Sequence, residues 1–457
     1  MNEQNQIPDL VETADLPLMV DLYELAMAQA YWDSNMNEQA TFSLFFRKRP
    51  PHRNIILACG QQHICQIIRN LRFTETHLKT LEGLDMFRPE FLEWLSGFRF
   101  SGDIHALPEG TPVFPQEPLL EVRAPIIEAQ ILESLVMNYV HLESVLASKA
   151  LRLVTAAQGR PVVDFGMRRM HGLDSAHRGV RAYRIAGIAG TSNIQAGKDF
   201  GLSVKGTMAH SFVQAHDNEM EAFKTYARLY PGTILLVDTY DTVKAVKKII
   251  HWLKSDSGVS ISAIRLDSGD LSELAVACRE LLDSADLTDI KILASSGLDE
   301  YKIQNLVRHQ IPIDGFGVGT ALGAASDSPS LELAYKLTEY AGKPRMKDSP
   351  GKQSYPSPKQ VFRRTGADGY YREDIIAGRD ESHEGDALLI PTLQAGKLVA
   401  GAIRPLTEIC EYSRDAVARL PTDLQSMDTE VDYPVAISEE LKAIQQRTLN
   451  IIKAGAD

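Results

Sequence analysis

Two different periods of apolar and polar residues run through the first third of the chain, and together they predict a mixture of helix and strand. The segment DLYELAMAQAYW (21–32) has the spacing of an amphipathic helix, and TFSLFFRK (41–48) alternates as a strand does. The Pro-rich segment 108–125 holds short apolar runs that are typical of small antiparallel strands and turns. From 126 to 158 the apolar positions fit long amphipathic helices.

The centre of the chain is more regular, because short apolar runs alternate there with amphipathic helices. This rhythm is typical of parallel strands with crossover helices, and the number of units favours an α/β barrel over an open sheet. The apolar runs, each ending in small, polar or charged residues, lie at 161–166, 203–211, 233–242, 261–270, 290–299 and 313–323.

The residues that end these runs are the first candidates for a functional site. In a barrel the loops after the strands converge on one rim, and an open doubly wound sheet also gathers its strand ends at one edge. Small and charged residues at such an edge suit phosphate and sugar ligands. The predicted rim contains Asp164, His210, Asp238, Arg265, Asp267, Ser295, Ser296, Gly297, Gly319 and Thr320.

Composition restricts the partners of the protein. The chain has 457 residues and a formal net charge of −12, which argues against nucleic acid or an anionic membrane as its partner. An acidic ligand must then be held by a local cationic pocket. The four cysteines lack the spacing of a zinc site or a disulfide framework, and no run approaches the roughly 20 apolar residues that span a bilayer. We therefore expect a soluble, cytoplasmic protein.

A dense group of arginines between Arg160 and Arg184 offers such a cationic pocket. Arginine presents a planar fork that suits carboxylate and phosphate groups. Part of the group equally fits a solvated helix face or an intersubunit ion-pair network, and we assign most of Arg178, Arg181 and Arg184 to that role. Arg168 follows a predicted strand directly and is the functional candidate.

The sequence Arg265-Leu266-Asp267 places a cation and a carboxylate two residues apart at a strand end. Strand side chains alternate, so both groups point to the same side. Arg265 can then hold an acid while Asp267 accepts ribose hydroxyls or approaches magnesium. A rim salt bridge followed by a helix cap, which Asp270 can also supply, explains the pattern equally well.

Two short loops of small residues, 295–297 and 317–320, precede helices on the last two predicted units. Close backbone approach and helix N-termini make such loops suitable for phosphate. His210, at the end of an apolar run, can act as a general base, a metal ligand or a nucleophile toward phosphoryl groups. A lone histidine is more often structural, so the residue types alone leave its role open.

Five separated motifs, together with DLYELAMAQAYW, resemble the nicotinate phosphoribosyltransferase family over about residues 15–405. They are DFGMRRMHGLDSAHRG (164–179), AGTSNIQAG (189–197), KGTMAHSF (205–212), RLDSGDL (265–271) and FGVGT (316–320). The family is related to the quinolinate and nicotinamide phosphoribosyltransferases. The resemblance implies a dimer and an irregular TIM-like α/β barrel, with an additional α+β domain built from the N-terminal and C-terminal segments.

With this resemblance, the chain divides into three predicted regions. Residues 1–130 form an N-terminal α+β region, residues 131–335 form the barrel with the active site, and residues 336–457 pack back on the N-terminal domain. A helix is predicted after Ile437, beyond a stretch rich in Lys, Pro and Gly. The family usually carries Pro-Gly before a lysine in this stretch, whereas this chain reads Pro356-Ser357-Pro358-Lys359.

The resemblance also implies a role for each matching residue. His210 resembles the histidine that ATP phosphorylates, Phe165 the aromatic residue under the pyridine ring, and Tyr23 the tyrosine that covers this ring from the partner subunit. Asp267 matches the acidic residue near the ribose and the pyrophosphate. The positions around nicotinate, the phosphoribosyl group and the 5-phosphate are Arg168, Thr207, Arg265, Ser295, Ser296, Gly319 and Thr320.

The implied reaction joins nicotinic acid to the phosphoribosyl group of phosphoribosyl pyrophosphate with the help of ATP. It gives nicotinate mononucleotide and pyrophosphate. Mg²⁺ accompanies phosphoribosyl pyrophosphate and ATP, and no protein ligand is assigned to it. The neutral turn Gly190-Thr191-Ser192-Asn193 favours the acid over nicotinamide. The alternatives are nicotinamide or quinolinate transfer, a barrel lyase or isomerase acting on a sugar phosphate, and a non-catalytic nucleotide sensor.

Overall fold

The computed structural model separates the chain into two compact units. One unit contains the chain up to Ser144 and from Ser330 onward, and the other contains Val145–Pro329. The residues that the structure describes are 13–256, 258–349 and 354–454.

Helices and strands follow one another in three stretches of the chain. The first stretch contains α1 (Leu22–Asp33), β1 (Gln39–Phe46), β2 (Ile56–Ala58), α2 (Gln61–Asn70), α3 (Glu75–Glu82), α4 (Pro89–Ser96), β3 (Asp103–Ala106), β4 (Thr111–Val113), β5 (Leu120–Pro125), α5 (Ile126–Ile131) and α6 (Glu133–Ala157). The second contains β6 (Val162–Asp164), α7 (Leu173–Ile185), β7 (Gly190–Thr191), α8 (Ile194–Phe200), α9 (His210–Gln214), α10 (Glu219–Leu229), β8 (Thr233–Leu236), α11 (Thr242–Ser255), β9 (Ile261–Leu266), α12 (Leu271–Asp283), β10 (Lys291–Ser295), α13 (Glu300–Arg308), β11 (Gly315–Val318) and α14 (Thr320–Gly323). The third contains β12 (Leu333–Tyr340), β13 (Lys343–Pro344), β14 (Lys359–Thr365), β15 (Tyr371–Gly378), β16 (Asp386–Ala387), β17 (Ile390–Gln394), β18 (Lys397–Leu398), α15 (Leu406–Ala418), β19 (Val435–Ile437) and α16 (Glu439–Ala454).

The unit that combines both ends of the chain is built on an antiparallel sheet with the order β13-β12-β1-β5-β3-β17-β18. Strand β1 lies between β5 and β12, and Ala40 is opposite both Ala124 and Tyr340. Every residue of β1 after Gln39 is buried, as expected for a central strand that is covered on both faces. A smaller sheet, β16-β14-β15-β19, and the pair β2-β4 complete the strands described for this unit.

The second unit is built on a parallel sheet with the order β7-β6-β11-β10-β9-β8. Helices follow the strands, as the alternating pattern predicts. In α11, for example, the Asp241 side chain accepts a hydrogen bond from the Lys244 amide and starts the helix, while Val246, Ile249 and Trp252 are buried. The carboxyl ends of parallel strands lie at one edge of a sheet, which is where ligands bind in such folds.

The predicted α/β class and the predicted parallel strands are confirmed, but closure into a barrel is not. Strands β7 and β8 form the two edges of the sheet, and no pairing among the described residues joins them. No helix in the described ranges is both long and apolar enough to cross a membrane.

One local prediction is wrong. Segment 203–211 was expected to be a strand, yet only Val204 makes a bridge, to Thr191, and α9 begins at His210. The segment is loop because glycine and small polar residues interrupt its apolar positions. Helix α7 has Gly172 as its N-cap, and Asp174 lies in its first turn.

Candidate active site

The guanidinium of Arg265 joins side chains from three separate segments of the parallel-sheet unit. Arg265 lies on β9, where its Nε donates to Ser295 Oγ at 2.8 Å and its Nη1 donates to Thr207 Oγ1 at 2.6 Å. Its Nη2 donates to Asp267 Oδ1 at 2.9 Å. All three planar directions of the guanidinium are therefore used, and four predicted site residues are brought together.

Asp267 is held as a carboxylate at the centre of this network. Burial raises the pKa of Asp267, but the hydrogen bonds from Ser295 and Arg265 and the charges of Arg265 and His210 outweigh it and keep the pKa below its usual value. Its backbone amide donates to Asp238 Oδ2 at 2.8 Å, and the Ser268 hydroxyl donates to the same oxygen at 2.6 Å. Asp238 thus positions the loop that carries Asp267.

His210 is the first residue of α9 and lies next to Asp267. Its Nδ1 is 3.0 Å from Thr239 Oγ1, and its Nε2 is 3.7 Å from Asp267 Oδ2. Its side chain is 38% exposed, so a ligand can reach the ring. A hydroxyl at one ring nitrogen and a carboxylate near the other restrict the orientation of the imidazole, as a nucleophile or a base requires.

Phe165 follows β6 and faces Arg265. Its amide donates to the Val318 carbonyl at 2.8 Å, and the Arg265 guanidinium carbon lies 5.4 Å from the centre of its ring. A Cβ atom at Gly317 would come within 2.5 Å of the same ring. Only glycine therefore leaves room for the ring in this position, on β11.

Asp164, the predicted rim residue at the end of β6, fixes the loops around the site. Its side chain accepts hydrogen bonds from the Gly166 amide and from the Thr191 hydroxyl, both at 2.7 Å, and its carbonyl accepts one from the Ser192 amide at 2.9 Å. Burial raises its pKa, although the bonds from Thr191 and Gly166 oppose the shift. Both carboxylate oxygens have partners, so we assign Asp164 a positioning role.

The two loops of small residues follow the neighbouring strands β10 and β11. Ser295 is buried, Ser296 has a φ of 122°, and Gly297 has a φ of 54°. A serine in such a conformation is strained, and strain of this kind collects at ligand-binding sites. Gly319 is the N-cap of the short helix α14, whose first residue is Thr320.

The arginines between Arg160 and Arg184 separate into different roles. Arg178 is buried and pairs with Asp174 at 3.3 Å, and Arg184 donates to the Phe200 carbonyl at the end of α8. The first bond lies within α7 and the second joins α7 to α8, so buried Arg178 does not belong to the solvated helix face that the sequence analysis considered. Arg168 is exposed on a 3-10 turn and forms no ion pair with another described residue.

Tyr23, one of the predicted site residues, belongs to the unit that combines both ends of the chain. Tyr23 lies on α1 and is 45% exposed. Burial and the charges of Glu133 and Glu24 raise the pKa of Tyr23, so its hydroxyl stays protonated.

Thr239 and Ser268, which contact His210 and Asp238, were missed by the sequence analysis. Both directly follow predicted rim residues, which is the only signal that could have indicated them. Among the described residues there is no group of three or more His, Cys, Asp or Glu side chains that could hold a metal ion.

Comparison with known proteins gives consistent matches along the chain. Residues 18–141 match the model of the nicotinate phosphoribosyltransferase N-terminal domain, and residues 161–355 match that of the nicotinate phosphoribosyltransferase family. Nicotinate phosphoribosyltransferase pncB2 of Mycobacterium tuberculosis is 49% identical over 426 residues, which cover 93% of this chain and 92% of that protein. Nicotinate phosphoribosyltransferase of Bacillus subtilis is 33% identical over 471 residues, with 96% of each chain covered.

A solved structure agrees with these matches. The crystal structure of human nicotinic acid phosphoribosyltransferase is similar to this one with a TM-score of 0.83 and 25% sequence identity, and the match covers 93% of this chain and 99% of the human chain. The chain therefore belongs to the nicotinate phosphoribosyltransferase family, and it is an enzyme of the phosphoribosyltransferase class that acts in NAD biosynthesis.

Proposed function

We propose that this enzyme transfers the phosphoribosyl group of phosphoribosyl pyrophosphate to nicotinic acid with the assistance of ATP, which gives nicotinate mononucleotide and pyrophosphate. The Arg265 network carries the proposal, because it places a cation, a carboxylate and two hydroxyls together beside an aromatic ring. These are the groups that an aromatic acid and a charged sugar need in order to react side by side.

Nicotinic acid is a flat aromatic carboxylate, so its site requires an apolar surface and a cation. The Phe165 ring supplies the surface next to Arg265. Arg168 lies three residues after Phe165 and has no competing carboxylate among the described residues, so its guanidinium is available for the substrate acid. The family resemblance assigns Tyr23 of a second copy of the chain to the other face of the pyridine.

The phosphoribosyl group is assigned to Asp267 and to the loops after β10 and β11. The low pKa of Asp267 keeps it ionised at neutral pH, where it can accept hydrogen bonds from ribose hydroxyls. We assign the 5-phosphate to Ser295, Ser296, Gly319 and Thr320, because small residues at the start of a helix allow phosphate oxygens to approach backbone amides.

Attack by the pyridine nitrogen on the anomeric carbon builds positive charge on the ribose and negative charge on the departing pyrophosphate. Asp267 stabilises the ribose, and Arg265 fixes the position of this carboxylate. Bound Mg²⁺ would neutralise charge on the leaving group. The donor set fits Mg²⁺: Asp238 has a buried carboxylate oxygen without a hydrogen-bond partner, and this metal usually combines one or two carboxylates with substrate phosphates and water.

ATP is assigned to His210. Transfer of its terminal phosphoryl group to a ring nitrogen breaks the bond to ADP and forms phosphohistidine, with the ring proton released. We expect Nε2 to be the nucleophile, because Thr239 engages Nδ1. The added negative charge beside Asp267 then changes the affinity for charged ligands, which is how ATP hydrolysis can drive product formation.

Three further properties of the family complete the proposal. They are a homodimer in which Tyr23 enters the partner's site, a cytoplasmic location, and closure of the parallel sheet into an irregular barrel with an additional α+β domain.

Steady-state assays with nicotinic acid, nicotinamide and quinolinic acid test the substrate. We expect pyrophosphate release with nicotinic acid at a kcat/KM far above that for the other two, and stimulation by ATP. Pyrophosphate release with nicotinamide or quinolinic acid alone would replace this proposal by a sister activity. Tight nucleotide binding without pyrophosphate release would replace it by a sensor.

Labelling with γ-phosphate-labelled ATP tests His210. Intact mass analysis of the wild type should show one added phosphoryl group that is stable in base and labile in acid, and His210→Ala should carry none. His309→Ala is a matched control on an exposed helix end. Label retained by His210→Ala would exclude His210 as the phosphorylated residue.

A further inference from the structure

The unit that combines both ends of the chain contains a cavity that the reaction described above does not use. Its volume is about 400 Å³, which is within the range of small-molecule sites. The polar side chains at its wall include His63, Gln66, Asn70 and Arg72, which come from α2 or the turn that follows it. Tyr139 of α6 and Leu71 add apolar surface.

His63 is held in a fixed orientation at the wall of this cavity. Its Nδ1 is 3.0 Å from Oε1 of Glu143, whose side chain is fully buried. The ring meets Tyr139 edge to face, with the ring centres 5.0 Å apart. A buried carboxylate at Nδ1 selects the tautomer with its proton there and leaves a lone pair on Nε2. Nε2 has no hydrogen-bond partner among the described residues, so it is available to a ligand.

Arg72 lines the cavity, and Arg99, which does not line it, adds a second positive charge that acts on Arg72. Burial and the nearby charge of Arg99 both lower the pKa of Arg72. The Arg72 and Arg99 guanidiniums donate to the Leu71 and Phe98 carbonyls. Neither makes an ion pair anywhere in the ranges that the structure describes, although the chain carries a net charge of −12. Two neighbouring guanidiniums without a carboxylate between them repel one another, and an anion would remove this repulsion.

We propose that the cavity beside α2 is a second anion site, in which Arg72, Asn70 and His63 bind the phosphate group of a small ligand. Phosphate fits these groups better than a carboxylate does, because Arg72 and Asn70 can donate to its charged oxygens while a phosphate hydroxyl can donate to His63 Nε2. The space beside Leu71 and Tyr139 then accepts the apolar part of a phosphate monoester. Inorganic phosphate would be recognised by the same groups, and the experiment below distinguishes it from a phosphate monoester.

Titration calorimetry of the full-length protein with inorganic phosphate, at constant ionic strength, tests the site. The wild type should bind two phosphate ions per chain, one at the reaction site and one in this cavity. In the double variant Arg72→Gln/Arg99→Gln, the phosphate ion in the cavity should bind about tenfold more weakly or be lost. Arg265→Ala should weaken only the phosphate ion at the reaction site. His63→Gln should weaken the same ion as the arginine variant.

Phenyl phosphate, used as a second probe, identifies the source. Tighter binding of phenyl phosphate than of phosphate at the cavity indicates a monoester, and equal binding indicates free phosphate. Arg69→Gln is the matched control, because Arg69 is an exposed arginine of α2 that does not line the cavity. Unchanged phosphate binding in both the arginine variant and His63→Gln, with melting temperatures like that of the wild type, would overturn the proposal. So would an equal loss in Arg69→Gln.

Discussion

Arg265 and Asp267 lie on the same side of the end of β9, with Arg265 Nη2 2.9 Å from Asp267 Oδ1. The alternation of strand side chains produces this arrangement, since one residue separates the two. The same guanidinium reaches Thr207 and Ser295, so a single side chain sets the relative positions of three segments of the chain.

Replacement of Arg265 by lysine should therefore be far from conservative. An ammonium is a point charge and cannot reproduce three bonds from one plane, so we expect kcat/KM for nicotinic acid to fall by about 100-fold. Arg228→Lys, on the exposed end of α10, is the control and should leave kcat/KM unchanged. Steady-state kinetics measure both. A kcat/KM for Arg265→Lys close to that of the wild type would show that the fork geometry is not needed.

A methyl group at Gly317 should displace the Phe165 ring. The added Cβ would lie 2.5 and 2.7 Å from two ring carbons, which is closer than packed atoms allow. We expect Gly317→Ala to raise KM for nicotinic acid and to lower the free energy of unfolding by about 1–3 kcal/mol. At Gly97 the nearest atom would be 3.5 Å away, so Gly97→Ala serves as the control. If KM rose equally in both variants, the proposed contact of Phe165 with the pyridine would have no support.

The sequence predicts the parallel strands well and the antiparallel part less well. Strand β11 is buried on every residue and β9 on four of its six residues, so both appear as largely apolar runs next to charged or small residues. Strand β7 was missed because it has only two residues. Strands β14 and β15 lie in a region where Lys, Pro and Gly interrupt the pattern, and the buried pair Arg363–Asp374 that joins them has no signature in one sequence.

The site residues were predictable as a set, but their contacts were not. Charged and small residues at strand ends indicated Arg265, Asp267 and Ser295. The role of Asp164 depends on two hydrogen bonds to its own carboxylate, which no spacing rule gives. Thr239 is found only when the fold brings the loop after β8 next to His210.

Ser357, in the turn before β14, has a backbone conformation that favours glycine. Its φ is 67°, which is left-handed and costs a non-glycine residue about 1 kcal/mol or more. Its amide donates to the Thr338 carbonyl at 2.8 Å, and its own carbonyl accepts from Lys359 Nζ at 2.9 Å. A glycine retains both backbone contacts.

We therefore expect Ser357→Gly to raise the free energy of unfolding by up to about 1 kcal/mol, reduced somewhat by the greater freedom of glycine in the unfolded chain. Urea denaturation measures the change. Ser284→Gly is the control, because Ser284 has a φ of −61° and gains nothing from glycine. A loss of stability in Ser357→Gly as large as in Ser284→Gly would contradict the argument.

Glu24 on α1 is fully buried and lies beside Tyr23. Its Oε1 accepts a hydrogen bond from the Ser134 amide at 3.0 Å and another from the Ser134 hydroxyl, and its Oε2 has no partner. Burial is the largest cause that raises the pKa of Glu24, from 4.5 to about 7, and the charges of Glu133 and Asp21 raise it further against the bonds from Ser134. Near neutral pH the folded chain therefore holds a proton that the unfolded chain has released.

The sign of the resulting pH dependence follows from proton binding. Between pH 4.5 and about 7 the folded state binds more protons at Glu24 than the unfolded state does. The free energy of unfolding therefore falls as the pH rises through this range, and above it the contribution of Glu24 no longer changes with pH. Glu24→Gln cannot ionise, so we expect the variant to lose this part of the slope and to be more stable than the wild type above pH 7. Urea denaturation across the range measures the slope, with Glu75→Gln on the exposed start of α3 as the control. Equal slopes in the wild type and Glu24→Gln would mean that Glu24 is already ionised in the folded protein, and α1 would then carry a buried charge next to Tyr23.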